Sequence, residues 1–203
     1  MTISAADQKR IADAIHAAEA GTSGEIVCVL ARRSSDYNTV AMAWAALIAL
    51  ASPWPMIALT QFPVDRIFTV QIAVFFVLLA VFAWPPLRQR LVPRPVARAH
   101  AHAAAMEQFM IRGLGRKTGG KAVLIFVSLA DRHARIVAGD AISPLVPQSE
   151  WQESLDALTD HMKQRRVADG FVVAIERCGA VLGRHFPRRP DDKDELPDRI
   201  YVI

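Results

Sequence analysis

The chain has 203 residues, with 24 Lys+Arg against 20 Asp+Glu and two Cys, and 52% of it is hydrophobic. That apolar fraction excludes intrinsic disorder, and two cysteines do not make a disulfide framework. A mean hydropathy of +0.21 beside 22% charged residues points to two unlike regions averaged together.

The first predicted element is a helix. Ser4, with Asp7 three residues later, makes a capping-box-like start. Ile11, Ile15 and Ala18 recur at helical spacing, and Gly21 offers a stop. Residues 25–30 (Glu-Ile-Val-Cys-Val-Leu) then form a short β-branched run, read as a buried strand. Its start, Met1 to Arg10, lacks the apolar stretch of a signal peptide.

Charge then disappears. Residues 37–64 hold no Asp, Glu, Lys or Arg across 28 positions, and residues 67–87 none across 21. Only Asp65 and Arg66 separate the runs. Each run exceeds the roughly 20 residues a helix needs to cross a bilayer, so spans are expected near residues 40–60 and 67–84. Trp44 and Trp84 suit interfacial depth. Pro53 and Pro55 remove backbone donors and are expected to kink or break the first span. The alternative of two buried core helices fits poorly, because the second span offers only Thr69 and Gln71 as a polar stripe.

Arginines flank this hairpin: Arg32 and Arg33 before it, Arg88, Arg90, Arg94 and Arg98 after it. The positive-inside rule then places both termini and the soluble part in the cytoplasm of a bacterial inner membrane. The formal net charge is +4. Outside this collar and the Asp36, Asp65 and Arg66 group the remainder is near neutral, which argues for anionic headgroups and against nucleic acid as partner.

One helix and one strand cannot bury a core alone. Residues 1–33 therefore pair with 97–203, and the hairpin of 37–87 is read as an insertion after the first strand. The second piece opens with an Ala-rich helix over 97–114 that shows Met106, Phe109 and Met110 on one face. Glycines 113, 115, 119 and 120 break it. Residues 121–129 are the strongest strand pattern, and 134–138 the returning strand of a hairpin. Helices follow over about 150–165, capped by Ser149, and 170–185, capped by Asp169. Phe171, Val172, Ile175, Cys178, Val181 and Leu182 form the apolar face of the last. Residues 187–203 read as a tail, irregular and rich in Pro and charge over its first part. The order predicts an α/β fold, a small mixed sheet covered by helices.

The residues that carry a family resemblance are Glu25 to Val29, Glu107-Gln108-Phe109 with Gly113-Leu114, and the block from Val123 to Asp140. It continues through Ala168-Asp169-Gly170 to Pro190-Asp191-Asp192 and Glu195-Leu196-Pro197. Together these resemble the TPM domain family, in its bacterial membrane-protein branch with two spans. The resemblance implies an α/β/α sandwich. For some members it also implies acid phosphatase activity and divalent-cation binding. In that phosphatase-linked branch an acidic Asp-x-Gly segment precedes the strong strand. Here the matching place reads Gly119-Gly120-Lys121-Ala122, without a carboxylate.

Candidate chemistry is sparse. Residues 115–121 fit G-x-x-x-x-G-K, but a helix precedes, a strand follows, and Ala122 stands where a phosphate loop needs Ser or Thr. His100 and His102 fall about 200° apart on a helix, so they face different ways. Cys28 and Cys178 lie in apolar runs, as small buried hydrophobes do. Glu25 and Asp140, at strand ends, are the candidate divalent-metal ligands. Asp191, Asp192, Asp194 and Glu195 read as a solvated charge run. The function expected is a protein-interaction or accessory module at the membrane, with the bilayer, a membrane-associated protein and a possible second copy as partners. A divalent-metal-dependent phosphatase-like hydrolase is the alternative.

Overall fold

The computed structural model describes residues 3–32, 38–82, 84, 93–131, 133–189 and 195–203. The chain divides into two compact units, one of residues 1–34 and 98–203, the other of residues 35–97.

The first unit is built on a four-stranded sheet. Its strands are β1 (Glu25–Ala31), β2 (Ala122–Ser128), β3 (His133–Ala138) and β4 (Ile200–Val202). Their spatial order is β3-β2-β1-β4. β1 runs parallel to β2, from Glu25 beside Ala122 to Ala31 beside Ser128. It is also parallel to β4, whereas β2 and β3 are antiparallel. The sheet is therefore mixed, as the pattern predicts. Every residue of β1 and β2 is buried. Continuous apolar runs of this kind are what strands covered on both faces require.

Side-chain alternation divides the strands between two cores. Ile26, Cys28, Leu30, Val123, Ile125 and Val127 point to one face. There they meet α1 (Ala5–Glu19), α7 (Gln148–Lys163) and α8 (Val167–His185). Val27, Val29, Leu124 and Phe126 point to the other face. That face is covered by α5 (Arg94–Ile111) and the one-turn α6 (Leu114–Lys117). The result is an α/β/α sandwich.

Helix faces follow spacing closely. Ile11 and Ile15 are fully buried on α1, and Phe171, Ile175, Cys178 and Leu182 on α8. Ser4 caps α1 by accepting the Asp7 N–H at 3.1 Å. On α5 the buried stripe is Ala101 and Ala105, with Met106 and Phe109 half-buried beside it. Met110 is 68% exposed, because it sits one residue beyond the 101–105–109 stripe and points about 100° away from it.

Three expectations are corrected. Helix α7 starts at Gln148 with Pro147 at the cap position, so Ser149 lies inside it. Helix α8 starts at Val167, which puts Asp169 in its first turn rather than before it. There the Asp169 carboxylate accepts from Arg10 at 2.8 Å. The region read as a tail ends in β4, where Ile200–Val202 adds an edge strand to β1. Tyr201 on this strand lies under the Arg112 guanidinium, 3.6 Å from the ring centre.

The second unit holds α2 (Asn38–Ala51), α3 (Pro53–Leu59) and α4 (Val64–Phe82). The expected break falls at Ser52, immediately before Pro53. Residues 42–59 and 64–82 are both long and apolar enough to cross a membrane. Ala45 of α2 packs with Phe75, Leu78, Leu79 and Phe82 of α4. Outside that seam and the buried Ile67, most apolar side chains of α4 are exposed, Phe76 being 62% exposed and Val77 60%.

Candidate functional site

The amino end of β1 gathers the main buried charge of the first unit. A tight turn sets it up. The Thr22 hydroxyl donates to the Phe186 carbonyl at 2.6 Å and accepts the Gly24 N–H at 3.0 Å. This holds the chain as it passes from α1 into Glu25.

Three carboxyl groups meet there. Glu25 is buried, and its Oε1 accepts the Glu195 backbone N–H at 3.0 Å. Glu19, the last residue of α1, turns back across the turn and accepts the Ile26 N–H at 2.6 Å. Its carboxyl also shares a hydrogen bond with Asp198. Asp198 in turn meets His16 Nδ1 at 2.9 Å. Burial is the main cause that pushes the Glu19 carboxyl up to about 9, and the charges of Glu25 and Asp198 push the same way. At neutral pH Glu19 therefore keeps its proton. A neutral acid held among other carboxyl groups can store or pass a proton.

Asp140 lies at the same end of the sheet but is exposed, just past β3. Its turn is held by Gly139 N–H to Ala122 O at 2.8 Å and Ala141 N–H to Gly120 O at 3.2 Å. β2 stands between β3 and β1. Glu25 and Asp140 thus lie about 10 Å apart as backbone, two strand spacings. The pair therefore shares one end of the sheet without meeting, and the charge of Glu25 acts instead on Glu19. Among the described residues no group of three or more His, Cys, Asp or Glu is positioned to hold a metal ion.

Sequence reasoning missed Glu19 and Asp198. A signal existed for Glu19, since it falls four residues after Ile15 on the buried stripe of α1. A carboxylate on an apolar stripe demands an internal partner. Nothing local marks Asp198.

The remaining candidates fall as follows. Residues 115–121 run from α6 through Gly119 and Gly120, both with positive φ, into β2. Helix precedes strand, the reverse of a phosphate loop. His100 and His102 lie on α5, and His133 opens β3 with its imidazole lowered mainly by burial. Cys28 and Cys178 are fully buried free thiols. Burial raises both, Cys178 to about 12. Neither is a thiolate at neutral pH. Of the arginine collar, Arg32 and Arg98 are exposed. Arg33, Arg88 and Arg90, the side chain of Arg94, and Asp191, Asp192 and Asp194 lie outside the described residues.

Comparison with known proteins bears on the sheet and its covering helices. A family model described as the TPM domain matches residues 92–181. This segment, just under half of the chain, is similar to the TPM domain. It spans β2, β3, α7 and most of α8, the block that carries the resemblance in the sequence. The fold is also that of the BA42 protein from the psychrophilic bacterium Bizionia argentinensis, solved by NMR. That likeness has a TM-score of 0.62 at 22% identity, and covers 100% of this chain and 96% of the other. No curated protein matches the chain.

Proposed function

We propose that this chain is a membrane-anchored TPM-domain protein acting as a protein-interaction or accessory module at the bacterial inner membrane. Both termini and the TPM domain face the cytoplasm in this reading. The observation that carries it is the state of α4. It is apolar from Ile67 to Phe82 but for Thr69 and Gln71, yet of the whole helix only Ile67 and Phe82 are buried. A core helix of that composition would be covered, so lipid is the solvent these side chains fit. The arginines on both sides of residues 37–87 supply the orientation. Alkaline phosphatase fused after Ile203 should be inactive in cells, and a fluorescent protein at the same place should be bright. An active phosphatase fusion inverts the topology. Extraction of the protein by alkaline carbonate removes the membrane reading altogether. Crosslinking in intact membranes should give a discrete adduct with another membrane-associated protein or a second copy.

A second reading is a divalent-metal-dependent phosphatase-like hydrolase, with Glu25 and Asp140 as ligands. Glu25, buried at the amino end of β1, favours it, because a carboxylate suits calcium or magnesium. Phosphomonoester turnover lost in EDTA, in Glu25→Gln and in Asp140→Asn would establish this reading. No turnover from folded protein leaves the accessory module.

A further inference from the structure

The opposite end of the sheet carries a different chemistry. At the carboxyl ends of the parallel strands β1 and β2 lies a cleft of about 800 Å³. Open α/β sheets place ligands in the crevice outside the carboxyl ends of their strands. Arg32, Lys163 and Arg165 line the cleft together with Thr159, and Leu129 and Met162 give it an apolar side. Among the described residues no acidic one lines it. Lys163 is paired with Asp160 at 2.8 Å. Among the described residues no carboxylate pairs with Arg32 or Arg165.

Arg165 adds an independent observation. It stands in the turn between α7 and α8 with φ +63°, and among the described residues it is the one non-glycine with a positive φ. The Arg166 N–H bonds the His161 carbonyl and the Arg165 N–H that of Met162, both at 3.0 Å. This is a left-handed helix stop, a place where Gly or Asn costs least. An arginine there is less favourable for the backbone, and it is one of the residues that line the cleft.

We propose that this cleft binds the phosphate group of an anionic ligand. Arg32 and Arg165 would grip the phosphate oxygens, and Leu129 and Met162 would take the attached carbon skeleton. Arginine is suited to this by its planar set of donors. Two sources of phosphate are open. Arg32 stands six residues ahead of Asn38, the first residue of α2, so a lipid headgroup is one. A soluble phosphate ester is the other.

The test uses the full chain in nanodiscs. One arm titrates sn-glycerol 3-phosphate into phosphatidylcholine nanodiscs. The other compares the thermal midpoint in phosphatidic acid and phosphatidylcholine nanodiscs. Saturable binding in the first arm identifies a soluble ester, and a higher midpoint in phosphatidic acid a lipid headgroup. Whichever signal appears should weaken about tenfold in Arg32→Gln and in Arg165→Asn. Arg165→Asn should keep or raise the midpoint in phosphatidylcholine, because Asn accepts the left-handed backbone. That separates loss of binding from loss of folding. Arg116→Gln, an exposed arginine on α6, should bind as the parent does. No signal in either arm, a signal unchanged in Arg32→Gln and Arg165→Asn, or an equal loss in Arg116→Gln would overturn the proposal.

Discussion

The carboxyl of Glu19 accepts the backbone N–H of Ile26 at 2.6 Å, so the end of α1 is tied directly to the second residue of β1. The group is buried and keeps its proton to about pH 9, against an ordinary value of 4.5. Between those limits the folded state holds a proton that the unfolded chain releases. Stability therefore falls as pH rises through this window, and this contribution is fully present only below the lower limit. Glu19→Gln keeps the acceptor and removes the titration. Between pH 6 and 9 the parent should lose at least about 1 kcal/mol more than the variant, roughly 2–4 °C in Tm. Thermal melts of both proteins across that range check it. Parallel curves would mean that Glu19 is ionised in the fold.

Gly139 and Gly120 pack backbone to backbone. A Cβ at Gly139 would stand 2.2 Å from the Gly120 carbonyl oxygen, and neither strand can retreat without breaking the β2–β3 ladder. Gly139→Ala should cost about 3 kcal/mol or more. Gly21→Ala is the control, since nothing lies within 4 Å of its added methyl. It should change stability by no more than about 1 kcal/mol. Urea midpoints of the two variants give the comparison.

Where α8 crosses α1, a Cβ on Gly179 would sit 2.7 Å from the Ala18 Cβ. Gly179→Ala should destabilise by about 1–3 kcal/mol. Ala18→Gly alone, in the last turn of α1, should cost no more than about 1 kcal/mol. The double variant should be more stable than the sum of the two, because the second change makes room for the first. A double-mutant cycle measures that coupling. Strict additivity would show that the two helices do not meet at this pair.

Cys28 and Cys178 are both fully buried and both held as thiols. A disulfide-exchange reagent such as DTNB should release almost no chromophore from folded protein at pH 8. Two thiols should react promptly in denaturant. Fast reaction of one thiol in the native state would place a solvent path beside the sheet.

The central strands were legible because their information is local. Runs such as Val27-Cys28-Val29 and Val123 to Val127 are apolar at every position, and only a doubly covered sheet accepts that. The break before Pro53 was legible for the same reason, since proline acts on its own backbone. Helix starts were less so. Ser149 and Asp169 are good cap residues, yet α7 and α8 begin one and two residues ahead of them, at Gln148 and Val167, as packing onto the sheet allows. β4 was hidden because three residues carry no usable periodicity. It is a strand only because β1 has a free edge in reach. The Glu19–Glu25–Asp198 cluster was hidden further still. It depends on bringing residue 198 back to the turn that leaves α1, which is a property of the topology and not of any window of sequence.

That topology governs how the protein can be made. β1 is the middle partner of the sheet, but its first neighbour, β2, begins at Ala122 and its second at Ile200. A ribosome adding about 5–20 residues per second needs on the order of five to twenty seconds to travel from the first strand to the second. Throughout that interval the apolar run of β1 has no sheet to join, while residues 42–59 and 64–82 emerge next. On the proposed membrane reading, the hairpin must be delivered to the bilayer before the domain around it can close. Factors that shield nascent hydrophobic strands should matter more to the yield of this protein than to one whose neighbouring strands are consecutive.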